Sequence, residues 1–251
     1  MNGAVAFIPA RLGSTRFPGK VLADQTGRPL IQHVFEAVRG ATALSRVVIA
    51  TDDQRVIDAA AKFGAEAVLT GEHHPNGTSR IAEAAGKLGL SADQIVVNVQ
   101  GDEPELDPRA IDAAVATLLS REHDAGAAVG TVASPMDATD DPADPNIVKV
   151  VLDQRGCALY FSRSPVPFDR DRTRAVTYLR HVGMYVYRRR FLDEYVRMSP
   201  TPLERAEQLE QLRVLEHGYR IAVAQHATRH VGIDTPEQYA AFVARWRARQ
   251  G

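Results

Sequence analysis

Short apolar runs and longer amphipathic stretches alternate along the first part of the chain. Four runs rich in Val and Ile are typical of strands buried on both faces. They cover residues 4–8, 46–51, 65–69 and 94–99. Between these runs, apolar residues recur at spacings of three and four, the period of an amphipathic helix. These helical stretches cover residues 29–39, 53–63 and 78–88. The alternation predicts an α/β fold: a mostly parallel sheet with helices on both faces.

The pattern changes between about residues 130 and 190. Two apolar runs, 147–152 and 157–162, flank the turn-forming sequence DQRG at residues 153–156, and another run follows at 181–187. Short apolar runs joined by a tight turn are typical of a hairpin. We therefore expect an antiparallel lobe in this part of the chain.

Proline and capping residues mark where several helices begin. TPLE at residues 201–204 and TPEQ at residues 235–238 have the form of capping boxes, each with Pro as the first helical residue. Pro29 is expected at the first helical position of its own stretch. Because the chain has no internal repeat or low-complexity tract, residues 1–251 are expected to form a single domain that includes the antiparallel lobe.

Composition restricts the classes of function. The 30 Lys and Arg and the 31 Asp and Glu give a net charge of −1, so the chain has no basic field that would attract nucleic acid or an anionic membrane. No stretch has the length and hydrophobicity of a signal peptide or a membrane span. Cys157 is the single cysteine, which excludes an internal disulfide and fits a buried residue in a reducing compartment. We expect a cytoplasmic protein.

The loop after the first strand concentrates positive charge. Residues 7–20 read FIPARLGSTRFPGK and contain Arg11, Arg16 and Lys20 together with the hydroxyls of Ser14 and Thr15. Ligands of open α/β sheets bind beyond the carboxyl ends of the strands, where this loop lies. It is not a P-loop, because five residues separate its glycines and Val follows the Lys. The charge favours a triphosphate ligand, and a solvated basic loop is the alternative.

Two carboxylates are candidates for a metal site. VNVQGDEP, residues 97–104, places Asp102 directly after an apolar strand, and Asp234 precedes Thr235, which already fits the N-cap position. Mg2+ takes one or two protein carboxylates and completes its coordination with water and phosphate oxygens. We expect Asp102 and Asp234 to bind Mg2+ together. The alternatives are a turn or cap for Asp102 and a structural role for Asp234.

Eight motifs, taken in order over residues 5–239, resemble one enzyme family. They are IPARLGSTRFPGK, TDD, GTSR, VNVQGDEP, ALYFSRSPVPFDRDR, RHVGMYVYRRRFL, PLERAEQLEQLRVLEHG and GIDTPEQ. In this order they resemble the bacterial 3-deoxy-manno-octulosonate (Kdo) cytidylyltransferases, also called CMP-Kdo synthetases. The resemblance implies transfer of CMP from CTP to the anomeric hydroxyl of Kdo, with release of pyrophosphate, for lipopolysaccharide synthesis. It also implies a Mg2+ cofactor, a homodimer, and a Rossmann-like nucleotide-diphospho-sugar transferase fold with an antiparallel dimerisation lobe.

The resemblance further assigns roles to single residues. Lys20, Asp102 and Asp234 are the implied catalytic residues, the two aspartates as metal ligands. The implied nucleotide-binding residues are Arg11, Ser14, Arg16, Lys20 and Thr78. The implied sugar-binding residues are Arg80, Gln100, Arg163, His181, Tyr185, Glu210 and Gln211.

Physical chemistry supports three of the sugar-site assignments to different degrees. Arg163 offers a planar fork that can bind the substrate carboxylate through two hydrogen bonds. Glu207, Glu210 and Gln211 fall at spacings of three and four, so they are expected to share a helix face that binds sugar hydroxyls or is simply solvated. His181 in an apolar strand is a substrate contact, with a proton shuttle or a structural residue as alternatives.

One position departs from the family pattern. Where the family commonly has Gly-Thr-Asp-Arg or Gly-Thr-Glu-Arg, this chain has Ser79 in GTSR, residues 77–80. The lost carboxylate indicates either a modified acidic sugar, such as 8-amino-Kdo, or a local change without effect on the substrate. A non-catalytic nucleotide-binding protein on the same fold is a further alternative.

Overall fold

Nine strands form one sheet in the computed structural model, which describes residues 3–13, 16–171, 176–228 and 232–250. The strands are β1 Ala4–Ala10, β2 Leu44–Thr51, β3 Glu66–Leu69, β4 Ile95–Asn98, β5 Ala127–Pro135, β6 Lys149–Leu152, β7 Ala158–Ser162, β8 Leu179–Arg188 and β9 Arg220–Gln225. The helices are α1 Leu30–Val38, α2 Gln54–Lys62, α3 Gly77–Lys87, α4 Pro108–Asp124, α5 Arg189–Tyr195, α6 Pro202–Glu207, α7 Gln211–Glu216 and α8 Pro236–Ala248. None of the helices in these described ranges is long and apolar enough to cross a membrane.

The sheet is parallel on one side and mixed on the other. Its order is β3-β2-β1-β4-β8-β5-β9, and β1 to β4 are parallel, as the alternating pattern predicts. Strand β8 runs antiparallel between β4 and β5, while β9 is parallel to β5. The predicted hairpin is present, because β6 pairs with β7 antiparallel across a turn in which Gly156 has φ 76°.

Helices cover both faces of the sheet. Along β1, Ala4, Ala6 and Ile8 face the layer that contains α1 and α4, whereas Val5 and Phe7 face the layer that contains α3 and α5. Successive side chains of a strand point to opposite faces, so a strand covered on both sides has no polar positions. The predicted α/β class with helices on both faces is confirmed.

Helix ends follow the capping pattern, with two exceptions. Capping boxes are present at Thr201 and Thr235, as predicted. Pro29 was expected to be the first helical residue of α1. It is the N-cap residue instead, because the helix begins at Leu30. The helix after Thr201 is shorter than expected, since Gln208 adopts a left-handed conformation with φ 53° and ends α6. The predicted helix face shared by Glu207, Glu210 and Gln211 is therefore wrong.

The C-terminal helix packs against the segment that contains Ile233. Tyr239 and Phe242 of α8 are buried with Leu30 of α1 and with Ile233, which precedes the helix. The Tyr239 hydroxyl also accepts a hydrogen bond of 2.9 Å from the backbone N–H of Gln25. These contacts hold Ile233 and Asp234 beside the end of β1, although more than two hundred residues separate them in the sequence.

Candidate active site

A cleft of about 410 Å³ opens at the carboxyl ends of β1 and β4. The loop after β1 contributes cations to its wall, the loop before α3 contributes residues 74–77, and the loop after β4 contributes residues 100–102. Sequence reasoning placed the ligand at this edge of the sheet, where polar groups can face solvent without breaking the ladder. The predicted site residues that line the cleft are Arg11, Arg16, Lys20, Arg80, Gln100, Asp102, Glu210 and Asp234.

Lys20 lies at the centre of the charged end of the cleft. Its Nζ is 2.7 Å from Oδ2 of Asp102, 2.6 Å from the carbonyl oxygen of Ile233 and 3.4 Å from Oδ1 of Asp234. Lys20 is only 8% exposed, whereas the Arg16 side chain, which lies 3.1 Å from the same Asp234 oxygen, is 68% exposed. The buried ammonium therefore joins two carboxylates that come from distant parts of the chain.

Close backbone contact fixes the position of Asp102. A Cβ on Gly101 would lie 2.6 Å from the carbonyl oxygen of Pro9, so only glycine fits where the chain leaves β4 against the end of β1. The next residue accepts a backbone hydrogen bond of 2.8 Å from the N–H of Ile233. Burial raises the pKa of Asp102, and the neighbouring Lys20 acts in the opposite direction. The cation is thus what favours the charged form of this carboxyl group.

Arg80 forms part of the cleft wall but is bound to other protein groups. Its guanidinium lies 2.6 Å from Oδ2 of Asp52, in the TDD motif, and donates a 2.6 Å hydrogen bond to the hydroxyl of Thr70. Arg80 is 3% exposed. This buried ion pair connects α3 to the end of β2, and sugar binding by Arg80 stays a prediction.

Ser79 belongs to the cap of α3. Its backbone N–H donates to Oδ1 of Asn76, the N-cap residue, at 2.9 Å, and its hydroxyl donates to the Asn76 carbonyl oxygen at 3.0 Å. The same hydroxyl is 3.2 Å from Nδ1 of His74, whose Nε2 contacts the carboxylate of Glu83. His74 lines the cleft and was not predicted, although its position just before the N-cap of a helix beside the site is a usable signal.

A chain of polar side chains runs from the cleft into the protein. The Thr78 hydroxyl is 3.5 Å from Oε2 of Glu210, and the Tyr195 hydroxyl is 3.4 Å from the same oxygen. Burial raises the pKa of Glu210. Deeper in the protein, Asn98 Nδ2 donates to the hydroxyl of Tyr187 at 3.1 Å. Because Glu210 borders both the cleft and this interior, it links the charged end to the buried polar chain.

Tyr185 and Gln211 form a separate hydrogen-bonded pair beside Glu210. The Tyr185 hydroxyl donates to Oε1 of Gln211 at 3.0 Å. Among the described residues, Nε2 of Gln211 and Oδ1 of Asn98 have no hydrogen-bond partner. Burial raises the pKa of Tyr185 well above its ordinary value and that of Tyr187 above its ordinary value. These phenols are therefore neutral hydrogen-bonding groups at physiological pH.

His181 does not line the cleft and is partly buried in β8. Its Nε2 is 2.9 Å from the hydroxyl of Thr131, which donates its own proton to the Met184 carbonyl oxygen at 2.7 Å. The ring of Phe161 meets the imidazole edge-on at 4.9 Å. Burial lowers the pKa of His181 to about 3. At neutral pH this imidazole is uncharged, which favours the structural alternative over a proton shuttle.

Arg163 donates to backbone carbonyl groups. Its Nε is 2.7 Å from the carbonyl oxygen of Glu207, and its Nη1 is 2.7 Å from that of Pro145. The Glu207 carboxylate accepts from the hydroxyl of Ser162 at 2.7 Å and from the N–H of Arg163 at 2.9 Å, so it faces β7 and not Glu210. A substrate carboxylate would have to replace these carbonyl oxygens, and its binding by Arg163 stays a prediction. Ser14 lies outside the described residues.

A larger cavity of about 840 Å³ lies on the other side of Gly232 and Ile233. Its cations are already neutralised, because Arg245 and Arg249 both form ion pairs with Glu105, at 2.6 and 2.8 Å. The smaller cleft is the better candidate, because it lies at the carboxyl ends of parallel strands and contains Lys20, Asp102 and Asp234 together.

The carboxylate pair in the cleft fits a magnesium ion. Within the described ranges, no group of three or more His, Cys, Asp and Glu side chains is placed to hold a metal. Mg2+ needs fewer protein ligands, because substrate phosphates and water supply the remaining oxygens. The position of the Lys20 ammonium between Asp102 and Asp234 shows that both carboxylates can approach one cation.

Comparisons with known proteins define the class and then the family. A family model described as cytidylyltransferase matches residues 5–221. The 3-deoxy-manno-octulosonate cytidylyltransferase of Solibacter usitatus is 50% identical over 230 residues, which are 92% of this chain and 89% of that protein. The enzyme of the same name from Trichlorobacter lovleyi is 48% identical and covers 98% of this chain and 99% of its own length.

Solved structures agree with these relatives. The structure of CMP:2-keto-3-deoxy-manno-octonic acid synthetase complexed with CTP has a TM-score of 0.90 and 40% identity, and covers 99% of this chain and 100% of its own. The fold and the charged cleft are those of a nucleotidyltransferase. The chain belongs to the cytidylyltransferase family, among the 3-deoxy-manno-octulosonate cytidylyltransferases.

Proposed function

We propose that this protein transfers CMP from CTP to the anomeric hydroxyl of Kdo, releasing pyrophosphate and giving CMP-Kdo for lipopolysaccharide synthesis. The observation that carries the proposal is the joined set of Lys20, Asp102 and Asp234 in a cleft at the carboxyl ends of β1 and β4. Relatives that match almost the whole chain carry the name of this activity. CTP and Kdo are accordingly the proposed substrates.

Cations of the first loop bind the triphosphate in this proposal. Arg11 and Arg16 are exposed at the cleft and can bind the β- and γ-phosphates, whereas Lys20 is buried. Charge-assisted hydrogen bonds to phosphate oxygens would hold the nucleotide and receive the pyrophosphate as it leaves. Positioning of the two substrates then supplies much of the rate, since this reaction needs little covalent chemistry from the protein.

Asp102 and Asp234 are the proposed ligands of Mg2+. When bound, the metal would neutralise negative charge that develops on the reacting phosphoryl group. The two carboxylates come from separate parts of the chain, because Asp102 follows β4 and Asp234 precedes α8. Their fixed separation depends on the backbone hydrogen bond between Ile233 N–H and the Asp102 carbonyl oxygen.

The sugar acid is proposed to bind between the charged end and Glu210. Gln100 and Glu210 line the same cleft and can bind sugar hydroxyls directly, while Tyr185 and Gln211 support Glu210 from the interior. Ser79 uses its hydroxyl in the cap of α3, so the departure from the family pattern provides no observation in favour of a different sugar.

Assembly and location complete the proposal. Leu159 of β7 and Phe168 are 62% and 79% exposed, apolar side chains of the kind that a second copy of this chain would cover in a homodimer. Sedimentation equilibrium would test this, since a monomer at micromolar concentration contradicts it. A cytoplasmic location agrees with the single, buried cysteine.

The direct test is pyrophosphate release by the purified protein with CTP and Mg2+. Four parallel reactions contain Kdo, its 8-amino analogue, sialic acid or no sugar. We expect release with Kdo alone. A preference for the amino sugar would support the related-substrate alternative, and CTP binding without release in any reaction would support a non-catalytic nucleotide-binding protein.

A further inference from the structure

Lys20 is surrounded by the oxygen atoms that the proposed metal would need. Three oxygens lie around its Nζ: Asp102 Oδ2 at 2.7 Å, the Ile233 carbonyl at 2.6 Å and Asp234 Oδ1 at 3.4 Å. The side chain is buried, so water contributes little to the solvation of this ammonium. These protein oxygens are the groups that stabilise its charge.

An ammonium and a divalent cation compete for this position. Two positive charges a few ångströms apart repel each other, and the Lys20 ammonium already contacts one oxygen of each carboxylate. Metal binding at Asp102 and Asp234 therefore requires the Lys20 ammonium to leave. Its four-carbon stem allows this movement, because a lysine ammonium is a point charge with three rotatable donors.

A new set of acceptors must receive the displaced ammonium. The proposed triphosphate supplies them, since the loop from Arg11 to Lys20 is where its phosphates are expected to bind. Metal and nucleotide bind together as a complex. The phosphates of that complex carry the negative charge that accepts the displaced ammonium. The carboxylates then exchange one cation for another, and Lys20 exchanges carboxylate oxygens for phosphate oxygens.

We propose that Lys20 is an internal counter-cation, which occupies the Asp102–Asp234 pair in the free protein and moves to the phosphates when metal and nucleotide bind. The inference rests on the proposed function, because it takes these carboxylates to be the metal site. It explains why a site with so few protein ligands would bind metal weakly alone and more tightly together with nucleotide. By reciprocity, metal raises nucleotide affinity by the same factor.

The test measures metal binding without nucleotide or turnover. Mn2+ replaces Mg2+, and the free Mn2+ signal is followed by electron paramagnetic resonance during titration with wild type, K20M and K62M. We expect K20M to bind Mn2+ at least about tenfold more tightly than wild type, because a buried competing charge has been removed. K62M is the matched control, and its affinity should change by no more than about twofold, because Lys62 is exposed on α2 and does not line the cleft.

A double variant separates this inference from the metal-site proposal. In K20M/D102N the gain in Mn2+ affinity should disappear. If K20M/D102N binds as tightly as K20M, the metal lies elsewhere and both proposals fail. If K20M binds no more tightly than wild type, while binding of Mn2+ and CTP together is weakened by D102N, only the counter-cation role of Lys20 is overturned.

Thermal unfolding distinguishes a change in metal affinity from a loss of folding stability. Removing Lys20 leaves two carboxylates without their buried cation, so K20M should melt at a lower temperature than wild type. Mn2+ should then raise the melting temperature of K20M more than that of wild type, since a ligand of the folded state stabilises it in proportion to its affinity. An equal Mn2+ response in both proteins contradicts the proposal.

Discussion

At the β1 end of the cleft, the Lys20 ammonium lies 2.7 Å from a carboxylate oxygen of Asp102 and 3.4 Å from one of Asp234, whereas Tyr185 and His181 hydrogen-bond to the neutral side chains of Gln211 and Thr131. Tyr185 and His181 are partly buried, and desolvation shifts both pKa values in the direction that keeps them uncharged. Low dielectric favours the neutral form of any group that lacks an opposite charge. The charged end avoids this outcome only because a cation and two carboxylates are placed together.

The two regions therefore suit different tasks. Charges that neutralise one another in the free protein can be regrouped around a charged ligand, as an exchange of partners with little loss of electrostatic energy. Neutral hydrogen bonds in a closed interior depend on exact geometry and define a shape. Substitutions should consequently affect turnover most at the charged end and folding stability most in the neutral region.

The largest effect is expected at Asp102. D102N keeps the shape of the side chain but removes its charge, so turnover with CTP, Kdo and Mg2+ should fall on the order of a hundredfold or more, as losses of electrostatic stabilisation do. Steady-state pyrophosphate release measures it. Asp93 precedes β4, the strand that Asp102 follows. It offers a matched control, because its carboxylate is 70% exposed and pairs with Arg190.

D93N should leave turnover close to the wild-type value. Near-normal turnover of D102N at saturating Mg2+ would remove Asp102 from the metal site. A similar loss in both variants would mean that the effect does not depend on the cleft.

Sequence periodicity located strands β1 to β4 and strands β6 to β8, but it missed β5 and β9. Strands β1, β2 and β4 contain runs of Val, Ile and Ala that are largely buried, whereas the edge strand β3 reads EAVL and has no buried residue, so the prediction of burial on both faces was wrong there. Strand β5 is also largely buried but reads AAVGTVASP, with small residues that carry little strand preference, and it was not predicted. Neighbouring strands and α4 determine its conformation more than its own residues do.

The charged end of the site could be located from the sequence, but its geometry could not. The positions of Arg11, Lys20 and Asp102 after buried strands pointed to the correct edge of the sheet. The contact of Lys20 with Asp234 joins residues 214 apart, which no local spacing contains. Such contacts depend on the order of the strands and on the docking of α8.

The segment around Gln208 shows where a prediction from helical spacing failed. Spacings of three and four placed Glu207 and Glu210 on one helix face, which requires an unbroken helix. The left-handed Gln208 breaks it, and positive φ is uncommon enough for a residue other than glycine that the pattern does not foresee it. As a result Glu210 faces the cleft, while Glu207 binds Ser162 on β7.

The next effect concerns stability and its dependence on pH. The pKa of His181 is lowered to about 3, from 6.5 in an exposed histidine, so between these values the unfolded chain binds a proton that the folded protein does not. Stability therefore falls as the pH is lowered through this window. Between pH 7 and pH 5 the free energy of unfolding should decrease by about 2 kcal/mol from this residue.

H181Q removes this contribution while retaining a hydrogen-bonding side chain near Thr131. Urea unfolding at pH 7 and pH 5 should show a smaller decrease for H181Q than for wild type, whatever its stability at pH 7. H217Q serves as the control, because His217 is exposed and contacts only the Ser199 carbonyl among the described residues. A decrease in H181Q as large as in wild type would contradict the neutral state of the imidazole.

The smallest expected effect tests the neutral region at Tyr185. Y185F keeps the ring but removes the hydroxyl that donates to Gln211 at 3.0 Å, and leaves a buried amide oxygen without its donor. The free energy of unfolding should fall by about 1 kcal/mol, the usual net cost of such a bond. Y219F removes a comparable hydroxyl that contacts Glu194 in solvent, and should cost less than about 0.5 kcal/mol. Equal losses in the two variants would show that burial adds nothing to the Tyr185 bond, and the contrast between the two regions would then rest on the charged end alone.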